Sequence, residues 1–197
     1  MIEVFANDEF LSKPRILDDV RVLDFSHMLA GPYCTRILRD FGAEVIKIEQ
    51  PAGERTRTQG IHYWWLSNCG KKSISLDLNH PKAIQIVKEL VRVCDVAVEN
   101  FKPRTMSGYG IDYLELKKAN PKLIMCSISG YGQYGPYAVR PATANVAHAL
   151  SGQMWSAAQA LGTEVEPVGP GFNLGDTRGK TGVGQYNDIA MADSCLR

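Results

Sequence analysis

The sequence has almost no net charge and no long apolar run. Its 22 Lys and Arg residues face 21 Asp and Glu residues, which leaves a formal charge of +1 at pH 7. No global field therefore favours binding to nucleic acid or to an acidic membrane surface. The uninterrupted apolar runs are far shorter than the roughly 20 residues of a membrane-spanning helix. The hydrophobic fraction of 45% and the charged fraction of 22% are those of an ordinary globular protein.

Cysteine is scarce, and its spacing carries no metal or redox signature. The five cysteines are widely separated and none forms a C-x-x-C pair, which argues against a zinc knuckle or a thioredoxin-type motif. An odd number of isolated cysteines suits free thiols in a reducing compartment. The opening MIEVFANDEFLSKPR lacks the apolar core of a secretory signal. We therefore expect a cytoplasmic protein.

Two nucleotide-binding motifs are not found where they are expected. The first predicted strand is followed by AGPYC and not by G-x-G-x-x-G, which argues against a nicotinamide-dependent Rossmann enzyme. No G-x-x-x-x-G-K-[ST] pattern occurs, so a P-loop ATP site is not predicted either.

Short apolar runs alternate with amphipathic stretches along the chain. Five runs are rich in β-forming residues and are predicted strands: 20–25, 44–49, 73–78, 94–101 and 123–130. Apolar residues at helical spacing predict helices after Pro32, after Pro81 with Asn79 as a cap, and over 113–119. This alternation implies an α/β fold, a Rossmann-like and mostly parallel sheet with flanking helices. The domain is expected to span 20–197, after an N-terminal extension over 1–19.

The strand exits carry most of the glycine, proline and small polar residues. In α/β sheets ligands bind beyond the carboxyl ends of the strands. Four segments occupy that position: SHMLAGP, the residues after EVIKIE, VENFKP and SISGYGQYGP. We therefore expect a ligand site built from these loops on a rigid sheet.

Five segments, in this order, resemble those of one enzyme family. They are VRVLDFSHMLAGPYCTRILRDFGAEVIKIEQPAGERTR, NCGKKSISLDL, DVAVENFKP, NPKLIMCSISGYGQYGP and TGVGQYNDIAMADS. Together they are similar to the amino-terminal half of the class III (CaiB/BaiF-type) coenzyme A transferases, the family of the formyl-CoA and carnitine-CoA transferases. The resemblance implies CoA transfer between an acyl-CoA and a carboxylic acid, a dimer of interlocked chains, and no tightly bound cofactor or metal.

The resemblance also implies particular site residues. The family's catalytic aspartate follows a glycine after an LSG segment, and Asp176 in GFNLGDTRG matches it. Contacts to coenzyme A are implied at eleven residues: Met28, Leu29, Leu76, Asn79, Asn100, Phe101, Lys102, Ser129, Gly130, Tyr131 and Gly132. Phosphate groups need cations, which Lys71, Lys72, Lys102 and Arg104 could supply.

The chain departs from the family pattern in three ways. Gly108 stands where the family often has a basic residue, with Arg104 four positions earlier. The sequence passes from TRG almost directly into KTGVGQ, where the family has a long helix of about five turns. Family members also run to roughly twice this length, and their second domain has no counterpart here.

Three other functions compete with CoA transfer. One is a CoA-binding remnant without turnover, given the missing helix and second domain. Another is an acyl-CoA racemase, but Thr143 stands at the position of the racemase histidine and His148 lies five residues later. The last is the nicotinamide enzyme already disfavoured. The segment Tyr63-Trp64-Trp65 is expected in the core or in a dimer interface.

Overall fold

The fold is a single parallel sheet with helices packed on both faces. In a computed structural model of the protein, residues 14–150, 152–160 and 185–191 are described. The sheet order is β3-β2-β1-β4-β5-β6, and all five neighbouring pairs are parallel. The strands are β1 (Arg21–Asp24), β2 (Glu44–Glu49), β3 (Lys72–Ser75), β4 (Val96–Glu99), β5 (Ile124–Ser129) and β6 (Tyr186–Ala190).

Helices connect the strands or follow them. The described helices are α1 (Ala30–Asp40), α2 (Ile61–Asn68), α3 (Pro81–Val91), α4 (Thr105–Gly108), α5 (Tyr113–Ala119), α6 (Ala144–Leu150) and α7 (Gln153–Ala160). A short 3₁₀ turn at Arg55–Arg57 precedes α2. None of the helices in the described ranges is long and apolar enough to cross a membrane.

Two apolar cores lie on opposite faces of the sheet, as the alternation of side chains along a strand requires. On one face Leu23 and Ala97 pack with Val87 of α3 and Leu116 of α5. On the other face Val22, Val45 and Val98 pack with Cys34 and Leu38 of α1. The sequence prediction of an α/β fold with a mostly parallel sheet is confirmed. The domain limits at 20 and 197 stay a prediction.

Several boundaries of the strands and helices differ from the predicted ones. Strand β2 and helix α5 have the predicted limits, and the other predicted strands are trimmed at one or both ends. Helix α1 begins at Ala30, so Pro32 is its third residue and not its first. At the start of α3 the cap is His80, whose Nδ1 accepts a hydrogen bond from the Lys82 amide at 3.2 Å. The predicted cap, Asn79, instead folds back on Asp77 in a tight turn.

Candidate active site

The sheet order places the site between β1 and β4. Sequence-adjacent strands run outward from β1 to β3 on one side, and the chain then returns to start β4 on the other side of β1. In open α/β sheets such a reversal leaves a crevice at the carboxyl ends of the two central strands, where ligands bind. The loop 25–29 leaves β1 at this point, and Asn100, Phe101 and Lys102 leave β4 beside it.

The two central exits are joined by the side chain of Asn100. Its Oδ1 accepts from the backbone N–H of His27 at 2.8 Å, and its Nδ2 donates to the His27 carbonyl at 2.8 Å. The His27 ring also lies against the ring of Phe101, with centroids 5.3 Å apart. Burial lowers the pKa of His27, which favours the neutral ring. Asn100, predicted to contact coenzyme A, thus also fixes the loop that carries Met28.

Met28 lies in a strained backbone conformation at this crevice. Its φ is +64°, in the left-handed region that a side chain with a Cβ rarely adopts. The Met28 amide donates to Oε1 of buried Glu54 at 3.0 Å. Its side chain is 44% exposed, so it is available to a ligand. Leu29 is the residue before α1, and no side chain caps that helix.

A network of buried charged side chains binds the backbone of the loop that follows β1. Asp24 is fully buried and accepts from Ser26, from Thr35 at 2.7 Å and from the Lys71 ammonium at 2.9 Å. Lys47 lies 4.0 Å from the same carboxylate and donates to the Ser26 carbonyl at 2.6 Å. Burial alone would raise the pKa of Asp24, but the two lysines lower it below its usual value.

Lys71 is therefore a structural residue in this fold. It donates to Asp24, the Pro32 carbonyl, Thr35 and Asn68, and its side chain is almost completely buried. Burial lowers its pKa to about 8 despite the attraction of Asp24. The suggestion that Lys71 supplies a cation to a ligand phosphate is wrong for this conformation.

Glu49 anchors the loop after β2. Arg57 binds its carboxylate through two nitrogens, each at 2.7 Å, and Ser73 of β3 donates to it at 2.5 Å. Burial by itself raises the pKa of Glu49, but these hydrogen bonds outweigh it and bring the pKa down to about 2. The guanidinium of Arg57 also lies 3.7 Å from the centre of a Trp64 ring. The loop that carries Glu54 is thereby tied to both the sheet and α2.

Two residues predicted to contact coenzyme A, Leu76 and Asn79, follow β3. Leu76 is partly buried against the apolar core, and its amide donates to the Glu49 carbonyl at 2.8 Å. The amide of Asn79 is exposed and already donates to Asp77 at 2.9 Å. Lys72 pairs with Glu44 at the opposite, amino-terminal end of the strands, away from the exits.

Beyond β4 a cavity of about 350 Å³ opens between the strand exits and helices α4 and α5. Exposed Lys102 and Arg104 and buried Glu99 and Ser127 are among its lining residues. Arg104 has a φ of +71° at the start of α4. Gly108, which replaces the family's basic residue, ends that helix with open space around its Cα. Lys102 and Arg104 thus place two positive charges near Gly108, the position at which the family pattern often has a basic residue.

The β5 exit is tightly packed. A Cβ at Gly130 would come within 2.1 Å of the Ala142 side chain, so only glycine fits there. The Ser129 hydroxyl is buried and finds no hydrogen-bond partner among the described residues. Sequence reasoning overlooked that GYGQYG matches G-x-G-x-x-G after a strand. The match is incidental, because no helix follows until Ala144 and the fingerprint requires one at once.

The predicted nucleophile, Asp176, lies outside the described residues, as does the rest of GFNLGDTRG. Tyr63 and Trp65 are exposed on α2, so of their two expected places the core is wrong and a dimer interface stays a prediction. Within the described ranges, no group of three or more His, Cys, Asp or Glu side chains could hold a metal ion. The four cysteines described in the structure are free.

The fold and the strand-exit loops are those of an α/β protein with a ligand crevice at the carboxyl ends of its strands. Comparison with known proteins gives its family. The family model described as CoA-transferase family III matches residues 17–197. The chain belongs to this family.

Individual relatives agree with this membership. The chain is 38% identical over 206 residues to the succinyl-CoA–L-malate CoA-transferase beta subunit of Chloroflexus aurantiacus, covering 92% of this chain and 50% of that protein. It is 42% identical over 181 residues to the human succinyl-CoA:glutarate CoA-transferase, covering 88% and 40%. Among solved structures, a CaiB/BaiF family protein from Brucella suis superposes with a TM-score of 0.79 at 31% identity, covering 93% and 55%. The chain thus spans about half the length of the relatives it matches.

Proposed function

We propose that this chain provides the CoA-binding sheet and the nucleophile of an acyl-CoA:carboxylate CoA-transferase, with Asp176 as the nucleophile. The observation that supports it most directly is the joining of the β1 and β4 exits by Asn100 at the crevice of the sheet. The family match covers the same loops. Both relatives above are named for succinyl-CoA with a dicarboxylic acid, so succinyl-CoA is the donor to test first.

The proposed reaction proceeds through covalent steps on Asp176. The carboxylate attacks the thioester carbonyl, the C–S bond breaks, and CoA leaves as a thiolate while a mixed anhydride forms. The thiolate then attacks the Asp176 carbonyl and releases the first acid, which leaves an aspartyl-CoA thioester. The acceptor carboxylate repeats these two steps in reverse and regenerates the Asp176 carboxylate. Splitting one exchange in this way is nucleophilic catalysis, and it requires no ATP because one thioester replaces another.

The described residues have distinct tasks in this proposal. Met28 and Leu29 provide apolar contact for the pantetheine arm. Leu76 extends that apolar surface on the side of β3, and Phe101 extends it on the side of β4. Lys102 and the nearby Arg104 attract the phosphates with exposed cations. The neutral ring of His27 adds no charge beside the arm.

The loop after β5 has a task of its own. In this proposal Ser129 to Gly132 present their backbone to the ligand, and Gly132 has a φ of +81° that a residue with a side chain rarely adopts. These assignments rest on the family resemblance and on the position of each residue at a strand exit.

The experiment that tests the proposal is chemical trapping of the intermediate. The protein is incubated with succinyl-CoA and then treated with hydroxylamine or borohydride, and its peptides are analysed by mass spectrometry. An aspartyl hydroxamate or the reduced alcohol at Asp176 is the expected result. Asp176→Asn should lose the modification, while Glu89→Gln, which alters an exposed carboxylate on α3, should keep it.

The competing functions give different results in the same preparation. Binding of CoA with no modified Asp176 would mean a binding remnant. Exchange of deuterium into the α-carbon of a branched acyl-CoA would mean a racemase. The side chain of His148, the histidine weighed for that reaction, lies outside the described residues. Either outcome would overturn CoA transfer by this chain.

A homodimer is the assembly we propose for the protein. The supporting feature is an apolar surface on α2, made of Ile61, Tyr63, Trp65 and Leu66, each more than two-fifths exposed. Several large apolar side chains exposed on one short helix are typical of an interaction site.

A further inference from the structure

The loop between β1 and α1 is held through its backbone at consecutive residues. The Ser26 carbonyl accepts from Lys47 at 2.6 Å, and both backbone groups of His27 pair with Asn100 at 2.8 Å. The Met28 amide donates to Glu54 at 3.0 Å. The three side chains belong to or follow strands other than β1: Lys47 to β2, Glu54 to the loop after β2, and Asn100 to the exit of β4. Four consecutive backbone polar groups are thus bound by side chains from outside the loop.

This arrangement compensates for strain at Met28. A residue with a side chain is strained at a φ of +64°, and such a conformation persists only where its surroundings fix it. Glu54 is itself fixed, because its amide donates to Glu49 at 3.1 Å and its carboxylate accepts from Thr56. Such strain is found at ligand sites, where it presents a side chain in a preset direction.

We propose that Glu54 is a positioning residue, which holds Met28 in its left-handed conformation so that the β1 exit is already shaped for coenzyme A. A preset loop binds more tightly because less freedom is lost on binding. Glu54 acts on the ligand only through the Met28 amide, and it is not among the residues predicted to touch coenzyme A. This inference rests on the proposed function, which names the ligand.

Glu54 is a sharper probe than Asn100, since Asn100 is itself a predicted ligand contact. Glu54→Gln keeps one oxygen acceptor for the Met28 amide, while it removes the charge and replaces the oxygen that accepts from the Thr56 hydroxyl. Glu54→Ala removes both acceptors. Asp95→Ala is the matched control. It removes a carboxylate that accepts from a backbone amide, that of Arg21 at 2.8 Å, but it lies at the amino-terminal end of the strands, away from the Ser26–Met28 loop and from the cavity beyond β4.

Two measurements are made on the full chain and the three variants. Binding of coenzyme A is measured by titration calorimetry, and hydrogen exchange of the Met28 amide is measured by NMR without ligand. Glu54→Ala should weaken CoA binding about 10-fold, the equivalent of one lost hydrogen bond, and should greatly accelerate Met28 exchange. Glu54→Gln should stay within about 3-fold of the wild type in affinity and keep the amide protected. Asp95→Ala should change neither quantity.

The outcomes separate this inference from the proposed function. Unchanged affinity in Glu54→Ala would overturn the positioning role. A loss of affinity in Asp95→Ala as large as the loss in Glu54→Ala would overturn it as well. If the wild type itself binds no coenzyme A, the proposed function fails, and the exchange rates alone then decide whether Glu54 holds Met28. If the Met28 amide stays protected from exchange in Glu54→Ala, Glu54 does not hold Met28 and the positioning role is overturned.

Discussion

Asp24 shows how a single buried residue organises the β1 exit. Its carboxylate is the counter-charge of two buried lysines, Lys47 and Lys71, and it also accepts from Ser26 and Thr35. A buried charge is tolerated only when it is paired and hydrogen-bonded. The network therefore has little tolerance for a change of charge, although it lies beneath the loop and not within the crevice.

Asp24→Asn tests this dependence. The amide keeps an acceptor for the Ser26 N–H but leaves both lysines without a counter-charge, so we expect a loss of about 3–5 kcal/mol in the free energy of unfolding. Urea denaturation measures it. Asp40→Asn is the control, because Asp40 pairs with Arg36 on the surface of α1 and should cost less than about 1 kcal/mol. A loss at Asp24 as small as the loss at Asp40 would contradict the account.

Glu49 gives a prediction about pH. Its folded-state pKa of about 2 is below the ordinary value of 4.5, so its ionised form stabilises the fold above pH 4.5. That contribution is lost as pH falls from 4.5 towards 2. Because Arg57 is partly exposed, we expect only about 1–2 kcal/mol of it to appear in the free energy of unfolding.

Denaturation of the wild type and Glu49→Gln across this pH range checks the prediction. The variant should be less stable at pH 6, and the difference between the two proteins should shrink as the medium is acidified. Glu89→Gln, on the exposed face of α3, should track the wild type throughout. A constant difference between wild type and Glu49→Gln from pH 6 to pH 2.5 would rule out the carboxylate as its source.

At the scale of elements, helix α1 approaches the sheet so closely that only glycine fits at its second position. A Cβ on Gly31 would lie 2.3 Å from the Ser26 Cβ and 3.2 Å from the Asn100 side chain. The start of α1 is thereby pressed against both central exits. This contact sets the distance between the helix N-terminus and the crevice.

Gly31→Ala and Gly108→Ala form a matched pair for this contact. Helix propensity alone favours alanine by up to about 1 kcal/mol at both sites. Gly108 has nothing within 4 Å of the added Cβ, so Gly108→Ala should gain about 0.5 kcal/mol or more. Gly31→Ala should instead lose about 1–3 kcal/mol through overpacking. Thermal unfolding measures both, and a gain at Gly31 would show that the helix can move away from the sheet without penalty.

The elements predicted well from sequence are those set by local pattern. Strand β2 and helix α5 were found at their true limits because apolar spacing and neighbouring turn residues agree there. The cap of α3 was predicted at Asn79 because side-chain oxygens usually accept from the first amides of a helix. In the structure a ring nitrogen of His80 accepts instead, and the sequence pattern does not indicate this. The role of Lys71 was also missed, since its partner Asp24 lies 47 residues away and only the fold brings them together.

At the scale of the whole molecule, the described part contains the strand exits to which the proposal assigns the binding of coenzyme A. The strand exits, their cations and their apolar residues belong to one sheet. The segment with Asp176 lies outside the described residues, so sequence resemblance is its only support. The parallel sheet was predicted from strand–helix alternation. The order of its strands and the joining of β1 to β4 by Asn100 depend on long-range contacts that no local pattern encodes.

The apolar surface of α2 leads to a prediction about assembly. Trp65 is 62% exposed and lies on the same short helix as exposed Ile61, Tyr63 and Leu66, so water is excluded from these groups only if another surface covers them. We expect the chain to dimerise at micromolar concentration and Trp65→Glu to shift it to monomer, because a charge buried in an interface without a partner is costly. Sedimentation velocity measures the change. Leu114→Glu, on α5 and 71% exposed, introduces the same charge elsewhere and should leave the dimer intact. Equal dissociation by the two variants, or a monomeric wild type, would show that α2 is not the interface.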